Sequence, residues 1–305
     1  MLPKVRSMSR QPAHPIPDIV PRERLDFGLE GDIPRHWLGG DAFKTRLFDA
    51  MSTLFPVGER FFITCVRDYK DQVTDPALRV HIKDFTRQEG QHGIVHTQYN
   101  DRLTAQGVRV DLILKGQERR LFGILRKHLS REFTLGVTAA AEHITAIMAD
   151  AFVERPEVLE GADERIRAVY VWHAMEEMEH KAVAYDVLTK VAQASYRTRV
   201  LSMLLVTFLF PVNVFRIMAH MLKVDGYTRW QRTRLWAKGL WWLYKPGGVF
   251  LPLAGRYFAY LKPSFHPWDD PVVASYAHWL DLMDKHSPVT ASNLLNEQLV
   301  AQPHR

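Results

Sequence analysis

Glu89-Gly-Gln-His92 and Glu177-Met-Glu-His180 are two Glu-x-x-His stretches. A lone carboxylate precedes each, Glu59 before the first and Glu142 before the second. On an α-helix, residues three apart share a face, so each pair can offer an oxygen and a nitrogen to one ion. A Glu from each of two helices plus a Glu-x-x-His from each of two others is a di-metal ligand set of four-helix bundles. Glu89 follows Glu59 by 30 residues and Glu177 follows Glu142 by 35. Both gaps suit two antiparallel helices of about 25 residues joined by short loops.

Local signals place the four rods. Asp41 can cap a helix running to about Tyr69, with Pro56 and Gly58 interrupting it one turn before Glu59, where a kink is expected. Asp75-Pro76 starts a second helix that carries Glu89 and His92 to about Ala105. Residues 107–130 read as a long link with a basic amphipathic stretch near Arg119 to His128. Ser130 caps a third helix, Arg131 to Val153, and a fourth runs from about Asp163 to Val191. One long crossover between two helix pairs suits a ferritin-like topology. The expected fold is therefore all-α: a Pro-rich extended arm (1–40), a ferritin-like four-helix bundle with a dinuclear metal site (41–192), and additional C-terminal helices (193–305).

Four inward carboxylates repel one another and are costly to bury, unless cations neutralise them. Two divalent ions balance four glutamates, and neutral imidazoles add nitrogen donors. With no thiolate in the set, the chemistry suits Fe or Mn better than structural zinc. Solvated ion pairs explain one Glu-x-x-His well, but two, each with an upstream Glu at bundle spacing, are hard to produce by chance. The candidate catalytic and ligand residues are Glu59, Glu89, His92, Glu142, Glu177 and His180. His173 shares the face of Glu177 and His180 and reads equally as a seventh ligand or a core histidine. His96 reads as a supporting or core residue. Glu176, Glu179 and His143 point off the ligand faces, so the two glutamates are expected in solvent or in ion pairs. Asp84 and Asp186 are candidates to hold the ligand imidazoles.

The chain has 305 residues, 47% of them hydrophobic, and a net charge of +6. A single cysteine, Cys65, excludes an internal disulfide and suits a reducing cytoplasm. The first residues are basic but lack the apolar core of a secretory signal. No basic base-reading helix stands out, so nucleic acid is not an expected partner. The positive charge concentrates at 197–245, with nine Lys/Arg against one acid, four of the eight tryptophans and the uncharged run Val200 to Phe215. That run, interrupted by Pro211, is shorter than the ~20 residues a spanning helix needs. It reads as a membrane-surface segment on the inner face or as a helix packed on the bundle, with a spanning helix as a third alternative.

Three stretches, Phe55-Pro-Val-Gly-Glu-Arg-Phe-Phe62, Gln88-Glu-Gly-Gln-His92 with Asn100, and Trp172 to Asp186, resemble a bacterial family of predicted metal-dependent hydrolases. Phe265-His-Pro-Trp268 is similar to a further part of that pattern, and the resemblance spans about 20–270. The site alone resembles that of p-aminobenzoate N-oxygenase-type di-iron enzymes through His173-x-x-x-Glu177-x-x-His180. That resemblance implies that Glu59, Glu89, His92, Glu142, His173, Glu177 and His180 are all metal ligands. The apolar C-terminal third departs from it, so an amine substrate does not transfer.

Three functions follow as expectations. The first is a di-iron oxidoreductase that activates O₂ and oxidises an apolar or aromatic, lipophilic small molecule, with Mn or Zn as alternative metals and an electron donor as an implied partner. The second is a hydrolase using a metal-bridging hydroxide. The third, outside enzymes, is iron storage or a structural role, for which the hundred residues after the bundle are unneeded. A homodimer is compatible with each.

Overall fold

The computed structural model describes residues 16–301, so expectations for residues 1–15 lie outside the described residues. Among the described residues there is no β-strand, only an isolated bridge between Leu38 and Ala162. The fold is all-α.

Residues 16–40 run without helix and bury Phe27, Ile33, Trp37 and Leu38 against the helices. Asp41 then caps α1 (Ala42–Ser52) by accepting from the Lys44 amide. The expected kink is a break. α1 stops, a turn at Thr53 and Leu54 intervenes, and α2 (Phe55–Arg67) begins with Pro56 in its first turn. Proline lacks an N–H and its ring collides with the carbonyl four residues back, here that of Ser52, so the helix breaks one turn before the proline. The Asn100 side-chain amide donates to the freed Ser52 carbonyl at 3.1 Å.

α3 (Pro76–Ala105) starts where Asp75 accepts from the Ala77 amide. The expected link at 107–130 is helical over most of its length. α4 (Val110–Glu118) continues through a π-helical stretch, Arg119–Leu125, into the single turn α5 (Arg126–His128). Its apolar residues Ile113, Leu114, Leu121, Phe122 and Leu125 pack on the core. Ser130 caps α6 (Arg131–Val153), and Asp163 caps α7 (Glu164–His180). The fourth rod is interrupted directly after His180: Lys181 and Ala182 form a turn before α8 (Val183–Asp186), which runs into a π-helical stretch, Val187–Val191. Lys181 Nζ donates to the Asp270 carbonyl, 2.6 Å away.

α2 packs on α3 and α6, α6 on α7, and α7 on α3, closing a ring of four rods. Along α3 and α6 the side chains order themselves in layers. Leu78–Phe85 and Leu135–Ala140 belong to one apolar core, and Val95–Leu103 and Ala146–Val153 to another. Glu89, His92 and Glu142 sit between the two, at mid-height.

The C-terminal third wraps this ring. α9 (Tyr196–Val224) is one 29-residue helix that continues through Pro211 and packs on α6 and α1. It is therefore longer than expected and, by length and composition, sufficient to cross a membrane. Buried Arg46 of α1 joins Asp49 (2.7 Å) to Asp225 (2.6 Å) just past α9, and Arg35 of the arm reaches the same Asp225. α10 (Arg229–Tyr244) lies on α1 with Gly239 against Phe43. A Cβ at Gly239 would sit 2.1 Å from that ring. Gly239→Ala is therefore expected to cost about 1–3 kcal/mol through overpacking. Chemical denaturation checks it, and an unchanged midpoint would mean that α10 does not seat on α1. α11 (Ala254–Ala259), α12 (Tyr276–Met283) and α13 (Pro288–Ala301) complete the chain, with α13 packed on α7.

Candidate metal centre

α2 contributes Glu59, α3 contributes Glu89 and His92, α6 contributes Glu142, and α7 contributes His173, Glu177 and His180. All seven are buried and meet in one cluster. One ligand atom from each of Glu59, Glu89 and His92 lies within 4.8 Å of the others, and the same holds for Glu89, Glu142 and His180. Glu89 is common to both triads. Glu177 lies between the histidines, 3.8 Å from His92 Nδ1 and 3.7 Å from His180 Nε2. His173 Nε2 is 2.9 Å from Glu177 Oε1 and 3.9 Å from Glu59 Oε1. Gly93 on α3 keeps this approach open, since a Cβ there would sit 3.3 Å from Glu59 Oε2.

Both carboxylate oxygens of Glu59, Glu89 and Glu142, together with His92 Nδ1 and His180 Nε2, are buried without a hydrogen-bond partner. Buried polar groups in native proteins are nearly always satisfied. Eight such atoms in one cluster fit a divalent-cation centre; among the side chains alone, His180 Nε2 lies 3.2 Å from Glu89 Oε1. For the side chains alone, burial and the neighbouring carboxylates push Glu59 and Glu142 well above the usual carboxylate range. Burial also raises Glu89, although His180 beside it pulls the other way. Burial opposes ionisation of Glu177 as well, yet His173 and His180 hold it well below that range. Burial and the adjacent His173 keep His92 neutral, as a ligand imidazole must be.

A family model described as predicted metal-dependent hydrolase matches residues 21–270. The chain belongs to that family. This family match includes the arm, the four rods and every residue of the cluster, and the description's metal dependence agrees with the buried Glu/His set. No curated protein and no solved structure matches the chain.

In this family member the supporting shell differs from the expected one. Asp84 lies 3.8 Å from Arg87, and Asp186 pairs with His266 and Lys190. The imidazoles are held instead by Glu176, whose Oε2 is 3.0 Å from His92 Nε2, and by Gln88, whose Oε1 is 2.8 Å from His180 Nδ1. These bonds turn His92 Nδ1 and His180 Nε2 towards the carboxylates. His96 links His173 Nδ1 (2.7 Å) to Ser52 (2.9 Å), and with Glu59 and His173 it also forms a group that could hold an ion. His143 points away, towards the Arg256 carbonyl and the rings of Tyr260 and Phe265.

Glu176 and Glu179 leave the ligand face for ion pairs, one of the two expected settings, and both are buried rather than in solvent. Arg22 of the arm reaches Glu176 at 3.0 Å and Glu179 at 2.8 Å. Glu179 also accepts from Gln88 (2.5 Å), the Val20 amide (3.0 Å) and Tyr276 (2.7 Å). One carboxylate thus ties the arm, α3 and α12 to the helix bearing the ligands. Only partners some 90 to 160 residues away reveal this, so helical register alone could not.

An apolar cavity of about 270 Å³ reaches the cluster at Glu59 and Thr145. Thr145 Oγ1 donates to Glu177 Oε2 at 2.5 Å. Leu54, Phe62, Leu121, Leu205 and Phe210 line the cavity, which α9 roofs and the helical 110–128 segment flanks. Rings pack on the histidines around the cluster: Trp172 on His92, Phe85 on His180, and Phe55 on His173.

Proposed function

We propose that this protein is a dinuclear metal enzyme of ferritin-like topology that uses O₂ to oxidise an apolar or aromatic small molecule. Glu59, Glu89 and His92 would hold one ion, and Glu142, Glu177 and His180 the other. Glu89 and Glu177 would serve both, and His173 would add to the first. Iron fits the oxygen-rich, thiolate-free donors best, with manganese and zinc as alternatives. When bound, the metal pair supplies the redox chemistry that no side chain here can supply.

The protein's own part is orientation and exclusion of water. Glu176 and Gln88 fix the two imidazoles, while Thr145 fixes Glu177. The aromatic shell keeps the centre dry, and the apolar cavity holds a lipophilic substrate against Glu59. That cavity carries the reading: it abuts the Glu59 carboxylate and offers few polar groups to bind anything hydrophilic. An electron donor is a required partner.

Hydrolysis of a lipophilic ester is the second reading, favoured by the family's description. The two separate in one assay. Protein with bound iron, a chemical reductant and a panel of arenes and medium-chain alkanes is expected to consume O₂ in proportion to oxidised product. Cleavage of fatty-acid nitrophenyl esters under argon, with no oxidation in air, would replace this reading with the hydrolytic one.

A further inference from the structure

α9 is apolar on two faces, and the fold covers one. Met203, Val206, Val214 and Met218 are buried where the helix packs on α6 and α1. Leu201, Leu204, Phe208 and Val212, at intervals of three, four and four, form a second stripe on the opposite face. Phe208 is 67% exposed and Leu201 55%. Beside this helix lie the 270 Å³ cavity and a second of about 370 Å³, which share Ile144 and Phe210. Their rims carry exposed Ile124, Leu251 and Phe258. Single exposed apolar residues are ordinary, whereas a contiguous patch marks an interaction site.

Charge identifies the occupant. Residues 197–245 hold nine Lys/Arg and one acid, and that acid, Asp225, is taken by Arg46 and Arg35. Arg197, Arg216, Arg234 and Lys238 are exposed and form no ion pair among the described residues. Trp230 and Trp241 of α10 are largely exposed as well, amphipathic rings of the kind that settle at a lipid headgroup level. A second copy of this chain would set these cations against their own images. An acidic bilayer complements both the apolar stripe and its basic flanks.

We propose that the outward stripe of α9, with the apolar cavity rims and basic flanks around it, seats the protein on an anionic membrane surface. The helix lies in the interface and does not cross, because its inner face is occupied by α1 and α6. Entry of a lipophilic substrate from the bilayer into the cavities rests on the proposed function; the docking itself does not.

Co-sedimentation of the full-length, metal-loaded protein tests this without any activity readout. It is expected to bind phosphatidylcholine vesicles containing phosphatidylglycerol, to bind pure phosphatidylcholine weakly, and to be released by high salt or alkaline carbonate. Phe208→Asp, at a side chain exposed to solvent, should weaken binding by roughly tenfold or more with metal content unchanged. Arg234→Glu and Lys238→Glu should each cost at least about fivefold. Any of four results would overturn the proposal: no binding to the acidic vesicles, equal binding by Phe208→Asp, resistance to carbonate as for a spanning helix, or a dimer that Phe208→Asp dissociates.

Discussion

Glu89→Ala is expected to lower bound metal from two ions per chain to less than one and to abolish turnover, with helical content kept. Glu89 is the residue common to both triads of ligand atoms, so its loss removes a donor from each half at once. Glu59→Ala and Glu142→Ala, whose carboxylates each belong to one half, should spare most of the other ion. The helices do not depend on Glu89. Its oxygens have no hydrogen-bond partner, and its charge raises the cost of ionising Glu59 and Glu142 nearby. Relief of that repulsion should offset the small cavity left by truncation. Metal analysis with far-ultraviolet circular dichroism reads both effects. Two ions retained in Glu89→Ala would remove Glu89 from the ligand set.

Glu179→Ala should be the most destabilising single carboxylate truncation in the supporting shell. It strips an acceptor from Arg22, Gln88, Tyr276 and the Val20 amide at one stroke. Breaking a buried ion pair by deleting one partner costs about 3–5 kcal/mol when the remaining charge is left unpaired. Arg22 keeps Glu176, so the loss lies at the lower end, with the lost Gln88, Tyr276 and Val20 bonds added to it. In a chain of this size that lowers the melting temperature by roughly 10 °C. Metal affinity should fall with it, by about 10–100-fold, since Gln88 is then free to release His180. Glu179→Gln retains an acceptor and should recover part of both losses. A melting temperature unchanged in Glu179→Ala would show that the arm does not dock on α7.

The reading of Glu179 marks where sequence reasoning stops. Caps are local, so Asp75-Pro76, Ser130 and Asp163 announced α3, α6 and α7 at their observed starts. The inward faces followed from 3.6-residue periodicity, and seven candidate side chains converge. What could not be read was set by distant chain. Arg22 and Tyr276 decide that Glu176 and Glu179 are buried. Nothing local marks the Gln88 side chain, next to a ligand, above Asp84 and Asp186, whose partners lie elsewhere. The π-helical stretch at Arg119–Leu125 is a departure from regular helix that periodicity averages away, whereas Pro56 marks the interruption between α1 and α2 in the sequence itself. Pro211 misled in the other direction: packing on α1 and α6 carries α9 through it, where propensity alone shortens the helix.

The proposed chemistry requires cations among these helices. Anomalous diffraction at the iron edge, from crystals of the full-length protein grown with bound metal, addresses it directly. Two peaks are expected, one among Glu59, Glu89 and His92 and one among Glu142, Glu177 and His180. A map with no peak there, or with its metal elsewhere on the chain, would contradict the proposed centre and the chemistry built on it.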